Sequence, residues 1–434
     1  MMGQENSEQN SAVQNDDLQR GADVPTLAHL TTMQVGGPCE RLLVANTAEE
    51  LARYARELAR GWDDWLLLGG GSNTIVCDEG YPGTVLLVRN TGISEIADPS
   101  LPAGTVRVRA QAGQNWDESV AWAAEKGYAG IEMLAGIPGL CGAAPVQNIG
   151  AYGGELSQTL HSVTCYDIEL DEVREMQAAE LELGYRTSIL KQGYRAVILS
   201  IDLLLQNNSA QPEPLSAPLA FPQLARALGA ELGTKLPLKK VREAVLQVRA
   251  AKGMVLNEID PDTRSAGSFF TNPIVSEHFA RTLPADAPRF PIGSEDDTPQ
   301  IVPLETYLQN LADTELQGGN GFYQAPAFDS IDAFNHETQP VAYPQTQNSS
   351  AATPAGPQVK LSAAWLIENA GVPRGFTIPG SGAAVSSKHT LAITNRGHAT
   401  AADIAELARY IVSMVQTEFG VLLTPEPNIY GLEI

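Results

Sequence analysis

Gly69-Gly70-Gly71-Ser72-Asn73 follows the apolar run Trp65 to Leu68 and precedes a second one, Thr84 to Val88. A strand that breaks abruptly into three glycines leaves backbone N–H groups with no side chain over them, which is what a phosphate needs, and Ser72 and Asn73 add polar partners. The stretch is not a Walker loop, because the Gly-Lys-Ser/Thr ending is missing, and the spaced G-x-G-x-x-G pattern is absent from its strand-to-helix context. Alone it reads equally well as a glycine-rich β-loop-β connection.

A second glycine-rich segment shifts that balance. Residues 135–154, AGIPGLCGAAPVQNIGAYGG, carry Gln147, Asn148 and Tyr152 among many small residues. Two such segments suit an extended dinucleotide whose backbone is approached in two places; a buried cluster of turns is the competing reading.

Between and around them the pattern alternates strand and helix. Thr47-Ala48-Glu49-Glu50 predicts a capping box that opens a helix with Leu51, Tyr54, Ala55 and Leu58 on one face, ended by Gly61. Thr105 to Ala110 alternates as a half-exposed strand, and Asn115 with Glu118 caps a helix that stops at Gly127. Ser162 to Leu170 and Ala196 to Leu205 read as strands, and Leu238 to Lys252 as an amphipathic helix. Leu361 to Ala370 predicts a helix, Thr390 to Thr394 a strand, and Thr400 a cap for a long helix that runs to Gly420.

The 434 residues are 43% hydrophobic and 18% charged, enough for two or three globular domains. A formal charge of -23 opposes binding to nucleic acid or an anionic membrane, so an anionic ligand must find local Lys and Arg. Cys39, Cys77, Cys141 and Cys165 are scattered, with no metal-ligand or redox spacing, and no metal is expected. The N-terminus has neither the basic patch nor the apolar core of a signal peptide, and no later run is long enough to span a membrane, so a cytoplasmic location is expected. Residues 1–24 read as a disordered polar tail, and about 284–358, rich in Pro, acidic and Ser/Thr/Gln/Asn residues, as a low-complexity insertion.

Arg264-Ser265-Ala266-Gly267-Ser268-Phe269-Phe270-Thr271-Asn272-Pro273 combines hydroxyls, a glycine, two rings, an amide and a proline. The pattern lets backbone approach a ligand while the rings exclude water; a tight turn entering an apolar strand is the plainer reading. Tyr185-Arg186 and Glu426, the latter between Pro425 and Pro427, become informative only beside a reaction that develops negative charge.

With these segments in hand, the chain resembles the UDP-N-acetylenolpyruvoylglucosamine reductase (MurB) family of peptidoglycan synthesis. The resemblance rests on GGGSN (69–73), IPGLCGAAPVQNIGAYGGEL (137–156), LGYRTSILK (183–191), RSAGSFFTNP (264–273) and TPEPNIYG (424–431), in family order. It implies an α+β fold: a two-part, vanillyl-alcohol-oxidase-type (PCMH-type) flavin domain and a separate α/β substrate-binding domain. The parts would span 25–95, 96–255 and 256–420, with 421–434 returning to the active site. It also implies bound FAD, with NADPH as hydride donor and UDP-N-acetylglucosamine enolpyruvate as the substrate reduced.

On the same resemblance, Gly70, Gly71, Ser72 and Asn73 cradle the FAD pyrophosphate. Gly136, Ile137, Pro138, Gly139, Asn148, Gly150, Ala151 and Gly153 run beside the flavin and its linker. Arg186 and Glu426 match the pair that binds and polarises the enolpyruvyl carboxylate, and Ser268 the general acid. Tyr185, Lys252 and Asn272 match sugar-nucleotide contacts. The chain departs from the family in offering Phe221 where some members have a substrate-covering tyrosine, in the length of the insertion, and in a long link from Lys252 to Ser268. The expected protein is monomeric and binds neither nucleic acid nor membrane. The alternatives are an FAD-dependent oxidase of the same fold acting on a small alcohol or sugar, and a noncatalytic nucleotide-binding relative.

Overall fold

Leu18–Arg20 and residues 25–292 and 357–434 are described by the computed structural model. The chain begins with β1 (Leu18–Arg20) and β2 (Cys39–Ala45), then α1 (Ala48–Arg60), β3 (Trp65–Leu68), β4 (Thr74–Val76) and β5 (Tyr81–Val88). The tail expected over 1–24 thus includes a short strand, which pairs antiparallel with β2; the rest of that tail lies outside the described residues. Four strands form a sheet in the order β1-β2-β5-β3, and β2, β5 and β3 run parallel. The two runs flanking Gly69–Asn73 are therefore parallel neighbours, so the glycines sit at the carboxyl end of a parallel strand, the usual ligand-binding end of such a sheet. Thr47 and Glu50 form the complete capping box of α1.

Next come β6 (Ile93–Ile96), β7 (Thr105–Gln111), α2 (Trp116–Lys126), β8 (Tyr128–Ala129), and the hairpin β9 (Gly150–Ala151) and β10 (Gly154–Glu155). They are followed by β11 (Leu160–Asp167), β12 (Glu172–Gln177), β13 (Ala196–Asn207), α3 (Pro222–Leu228) and α4 (Leu238–Ala250). An antiparallel sheet in the order β12-β11-β13-β7-β6, with β8 added beside β13, shares one core with α1, α2 and α4 through Leu51, Trp116, Val120, Ile201 and Val241. The arginines that alternate along β7 are not merely solvated. Arg107 and Arg109 both donate to the buried Asp202 carboxylate at 2.6 Å, which fastens β7 to β13. α4 ends at Ala250, so Lys252 lies just past the helix in which it was expected.

The last part contains β14 (Ile274–Ser276), α5 (Glu277–Ala280), β15 (Arg289–Ile292), β16 (Gln358–Leu361), α6 (Ala363–Asn369), β17 (Ala383–Val385), β18 (Ile393–Asn395), α7 (Ala401–Phe419) and β19 (Asn428–Tyr430). β14, β16 and β15 form an antiparallel sheet, so both edges of the expected insertion belong to folded structure. The buried Arg289 explains the first edge: it donates to the carbonyls of Ala280, Leu283, Pro284, Ala285 and Ala287 and ties 280–289 into one loop. The interior of that insertion lies outside the described residues. Leu361 ends β16 instead of starting a helix, because Ser362 caps α6. The strand expected at 390–394 is β18, shifted toward Asn395. β19 returns to pair in parallel with β4. Among the described residues no helix is long and apolar enough to cross a membrane.

Candidate active site

Three loops distant in sequence are stitched together by backbone. Glu426 N donates to Phe269 O at 2.8 Å, Thr271 N to Thr424 O at 3.1 Å, and Asn428 N to Asn73 O at 2.9 Å. The glycine-rich turn, the Ser268 loop and the C-terminal segment therefore meet at one junction. Phe269 and Phe270 do not wall a ligand from water, as the sequence suggested. Both are fully buried with Ile75, Leu361 and Ile393, and they anchor the loop. Ser268 is left half-buried beside them, its hydroxyl without a hydrogen bond among the described residues. Gly267 precedes it at φ +74 with open space where a Cβ would stand, so the backbone, not crowding, favours glycine there.

Arg186 reaches this junction from the other side. It adopts φ +54, a left-handed conformation costly for a non-glycine residue, and Asn148 and Tyr152 share that region at +45 and +50. Its guanidinium donates to Gly150 O at 2.7 Å and Asn148 O at 3.3 Å, and its Nε lies 3.9 Å from Glu426 Oε1. Burial pushes the Glu426 pKa up, against the opposing charges of Arg186 and Lys191. The Asn148 side chain is spent within the protein: it donates to Glu155 and Gly184 O and accepts from Ser157 N. Asn148 thereby clamps the Arg186 loop.

The two glycine-rich segments touch. A Cβ on Gly70 would stand 3.1 Å from Gly139 Cα, and Ser72 Oγ donates to Pro138 O at 3.1 Å. No backbone acceptor takes the N–H groups of Gly71, Ser72 or Asn73 among the described residues. The resulting strip of unscreened donors fits a diphosphate, through backbone, since the Ser72 and Asn73 side chains are engaged elsewhere. The Gly136 N–H is given to Asp117 Oδ1 at 2.7 Å. Ile137 packs against the core, while Gly150, Ala151 and Gly153 build the β9–β10 turn under Arg186. Gly71 is the least replaceable of these: at φ +62 a Cβ would stand 2.0 Å from Leu30 O. Gly71→Ala is expected to cost at least about 1–3 kcal/mol, seen as a lower melting temperature together with lost flavin absorbance after gel filtration.

Cations gather around Tyr152 and Tyr185. Lys252 donates to Gln223 at 3.0 Å and lies over the Tyr152 ring, against which Phe221 packs edge-on at 5.5 Å. The Tyr185 ring carries Lys360 Nζ 4.6 Å from its centroid. Burial lowers the pKa of both lysines. Asn272 is turned to α6, its carbonyl oxygen accepting from Ala363 N at 3.0 Å. His389 also belongs here: burial, with the charges of Lys252 and Arg374, pushes its pKa down to about 4, so it is neutral at pH 7. The sequence reading missed Lys360, Lys191 and His389. Lys360 follows directly on the insertion, and nothing local distinguishes it from a surface lysine; Lys191 was visible only as the end of LGYRTSILK.

The profile described as an FAD binding domain matches residues 39–175, and that of the C-terminal domain of UDP-N-acetylenolpyruvoylglucosamine reductase matches 260–430. A protein of that name from Leifsonia xyli subsp. xyli is 49% identical over 95% of this chain and all of its own length. The chain belongs to the UDP-N-acetylenolpyruvoylglucosamine reductase (MurB) family. Another relative of the same name, from Thermobifida fusca, is 40% identical over 94% of this chain and 97% of its own. The solved MurB of Thermus caldophilus covers 94% of this chain and 98% of its own at 22% identity, with a TM-score of 0.53, which shows a shared fold. The fold is thus the α+β, flavin-binding architecture expected of the family.

Proposed function

We propose that Arg186, Glu426 and Ser268 carry out the reduction of UDP-N-acetylglucosamine enolpyruvate to UDP-N-acetylmuramate. The observation that carries this reading is the junction itself. A half-buried Arg186–Glu426 pair at 3.9 Å shares one backbone-bonded knot with the Ser268 loop and the glycine strip. The chain is an FAD-containing, NADPH-dependent oxidoreductase of peptidoglycan precursor synthesis.

FAD, when bound, supplies the two electrons taken from NADPH and passed to the vinyl carbon. Backbone N–H groups of Gly70, Gly71, Ser72 and Asn73 would hold its diphosphate, and 136–139 with 150–153 would line its inner length. Arg186 is oriented by two carbonyls, so its fork is presented to the enolpyruvyl carboxylate without rearrangement. Glu426, whose burial favours the protonated form, donates a hydrogen bond to the same group as its charge grows. Ser268 gives its hydroxyl proton to the adjacent carbon of the enolate-like intermediate and regains one from water. Lys252, Lys360 and Tyr185 face the sugar nucleotide, with Asn272 bordering it, and supply local positive charge that the net -23 denies. The enzyme works as a cytoplasmic monomer on small molecules, without nucleic-acid partners, and its product supports cell shape and division.

The test is spectroscopic and kinetic. The purified protein is expected to be yellow and to consume NADPH only when UDP-N-acetylglucosamine enolpyruvate is added, with little peroxide formed. Rapid oxygen turnover on a sugar alcohol would instead identify an oxidase of the same fold.

A further inference from the structure

We propose that Lys191 is a positioning residue for this reaction: held by Gln147, which Asn73 links to the Glu426 segment, its ammonium sets the field in which the Glu426 carboxyl works. The inference rests on the role given above to Glu426.

The geometry is a relay of polar contacts. Ser188 Oγ donates to Val146 O at 2.6 Å and accepts from Lys191 N at 3.2 Å, so the turn carrying Lys191 is fastened to the turn carrying Gln147. Lys191 Nζ then donates to Gln147 Oε1 at 3.3 Å. Asn73 Nδ2 donates to that same oxygen at 3.3 Å and to Glu426 O at 3.4 Å. One amide oxygen thereby links the lysine to the segment that carries Glu426 and to the glycine strip.

The ammonium makes no salt bridge among the described residues, and its burial lowers its pKa. A half-buried cation with a single neutral hydrogen-bond partner is costly unless its field acts on something. The charges whose fields reach it are those of Glu426 and Arg186, and those that reach Glu426 are Arg186, 3.9 Å away, and Lys191, which is tied to the Glu426 backbone through Gln147 and Asn73. Arg186 is already committed to two carbonyls and, during the reaction, to the substrate carboxylate. Lys191 is the cation that stays with Glu426 throughout, and it opposes the desolvation that favours the protonated acid. Removing it leaves desolvation less opposed, so the Glu426 titration moves to higher pH.

The experiment uses the full-length, FAD-loaded protein. The pH profile of substrate-dependent flavin reoxidation is measured for Lys191→Met, Lys191→Arg and Glu426→Gln. The expected result is a limb that disappears in Glu426→Gln, moves up by about one pH unit in Lys191→Met, and returns toward its original position in Lys191→Arg, with FAD content unchanged. A limb that vanishes in Glu426→Gln but does not move in Lys191→Met overturns the role of Lys191 alone. So does loss of FAD in proportion to the loss of rate, which would mark a cofactor contact. A limb that persists in Glu426→Gln refutes the role of Glu426 itself. If Lys191→Met does not fold, Gln147→Leu, which frees the ammonium from its holder, is expected to move the same limb, and an unmoved limb again overturns the proposal.

Discussion

Ser268→Ala is expected to leave reduction of the flavin by NADPH within a few-fold of normal while slowing its reoxidation by UDP-N-acetylglucosamine enolpyruvate by about 10²–10⁴. The asymmetry follows from where the hydroxyl sits. Ser268 belongs to the junction with Glu426, through the Glu426 N to Phe269 O bond of 2.8 Å, and its hydroxyl has no hydrogen bond to lose among the described residues. The loop is held by the buried rings of Phe269 and Phe270 and by Phe269 N donating to Leu391 O at 2.7 Å, none of which involves the hydroxyl. Truncation is therefore expected to remove the proposed proton donor without disturbing the fold. A serine is a feeble acid in water, and the proposed mechanism makes it useful only if Arg186 and Glu426 let a strongly basic carbon form within reach. Stopped-flow traces of the two half-reactions separate the effects, and equal slowing of both would remove Ser268 from the protonation step.

Elements governed by local signals were legible in the sequence, and those governed by long-range pairing were not. The caps at Thr47, Asn115 and Thr400 placed three helices, because a side-chain oxygen two or three residues from the N–H it accepts is a local event. β6 and β12 were missed. Ile93–Ile96 and Glu172–Gln177 are edge strands with polar, mostly exposed faces, and such charge protects an edge while erasing the alternation by which a strand is read. The glycine segments were found, yet their direct contact at Gly70 and Gly139 was not, since nothing in either segment encodes the other. Phe269-Phe270 was seen as a wall because two adjacent rings cannot reveal from sequence whether they face a ligand or the core. The cations beyond Arg186 and Lys252 were missed for a related reason: a lysine becomes part of a site through burial, and burial of Lys191 and Lys360 is a property of the assembled loops.

Arg186 offers the complementary large effect, in which stability and activity separate. Arg186→Gly is expected to fold at least as stably as the parent, because glycine adopts φ +54 without the cost the arginine bears. Set against that gain are the two bonds from the guanidinium to Asn148 O and Gly150 O, which water can replace at a half-exposed site. Substrate-dependent reoxidation, however, should fall by about 10²–10³ or more, the usual cost of removing a preorganised donor from a developing anion. Arg186→Lys keeps the charge but not the planar fork; it cannot satisfy both carbonyls and still present two parallel donors to a carboxylate, so most of the rate loss should remain. The opposing charge on Glu426 is also removed in Arg186→Gly, so the acid should hold its proton to higher pH, and the pH limb that belongs to Glu426 should move upward. Thermal melts beside half-reaction kinetics decide the matter. A destabilised Arg186→Gly protein would make this arginine chiefly a structural clamp, whereas a stable, flavin-loaded and nearly inactive one means that the left-handed backbone is retained for the chemistry of the side chain it carries.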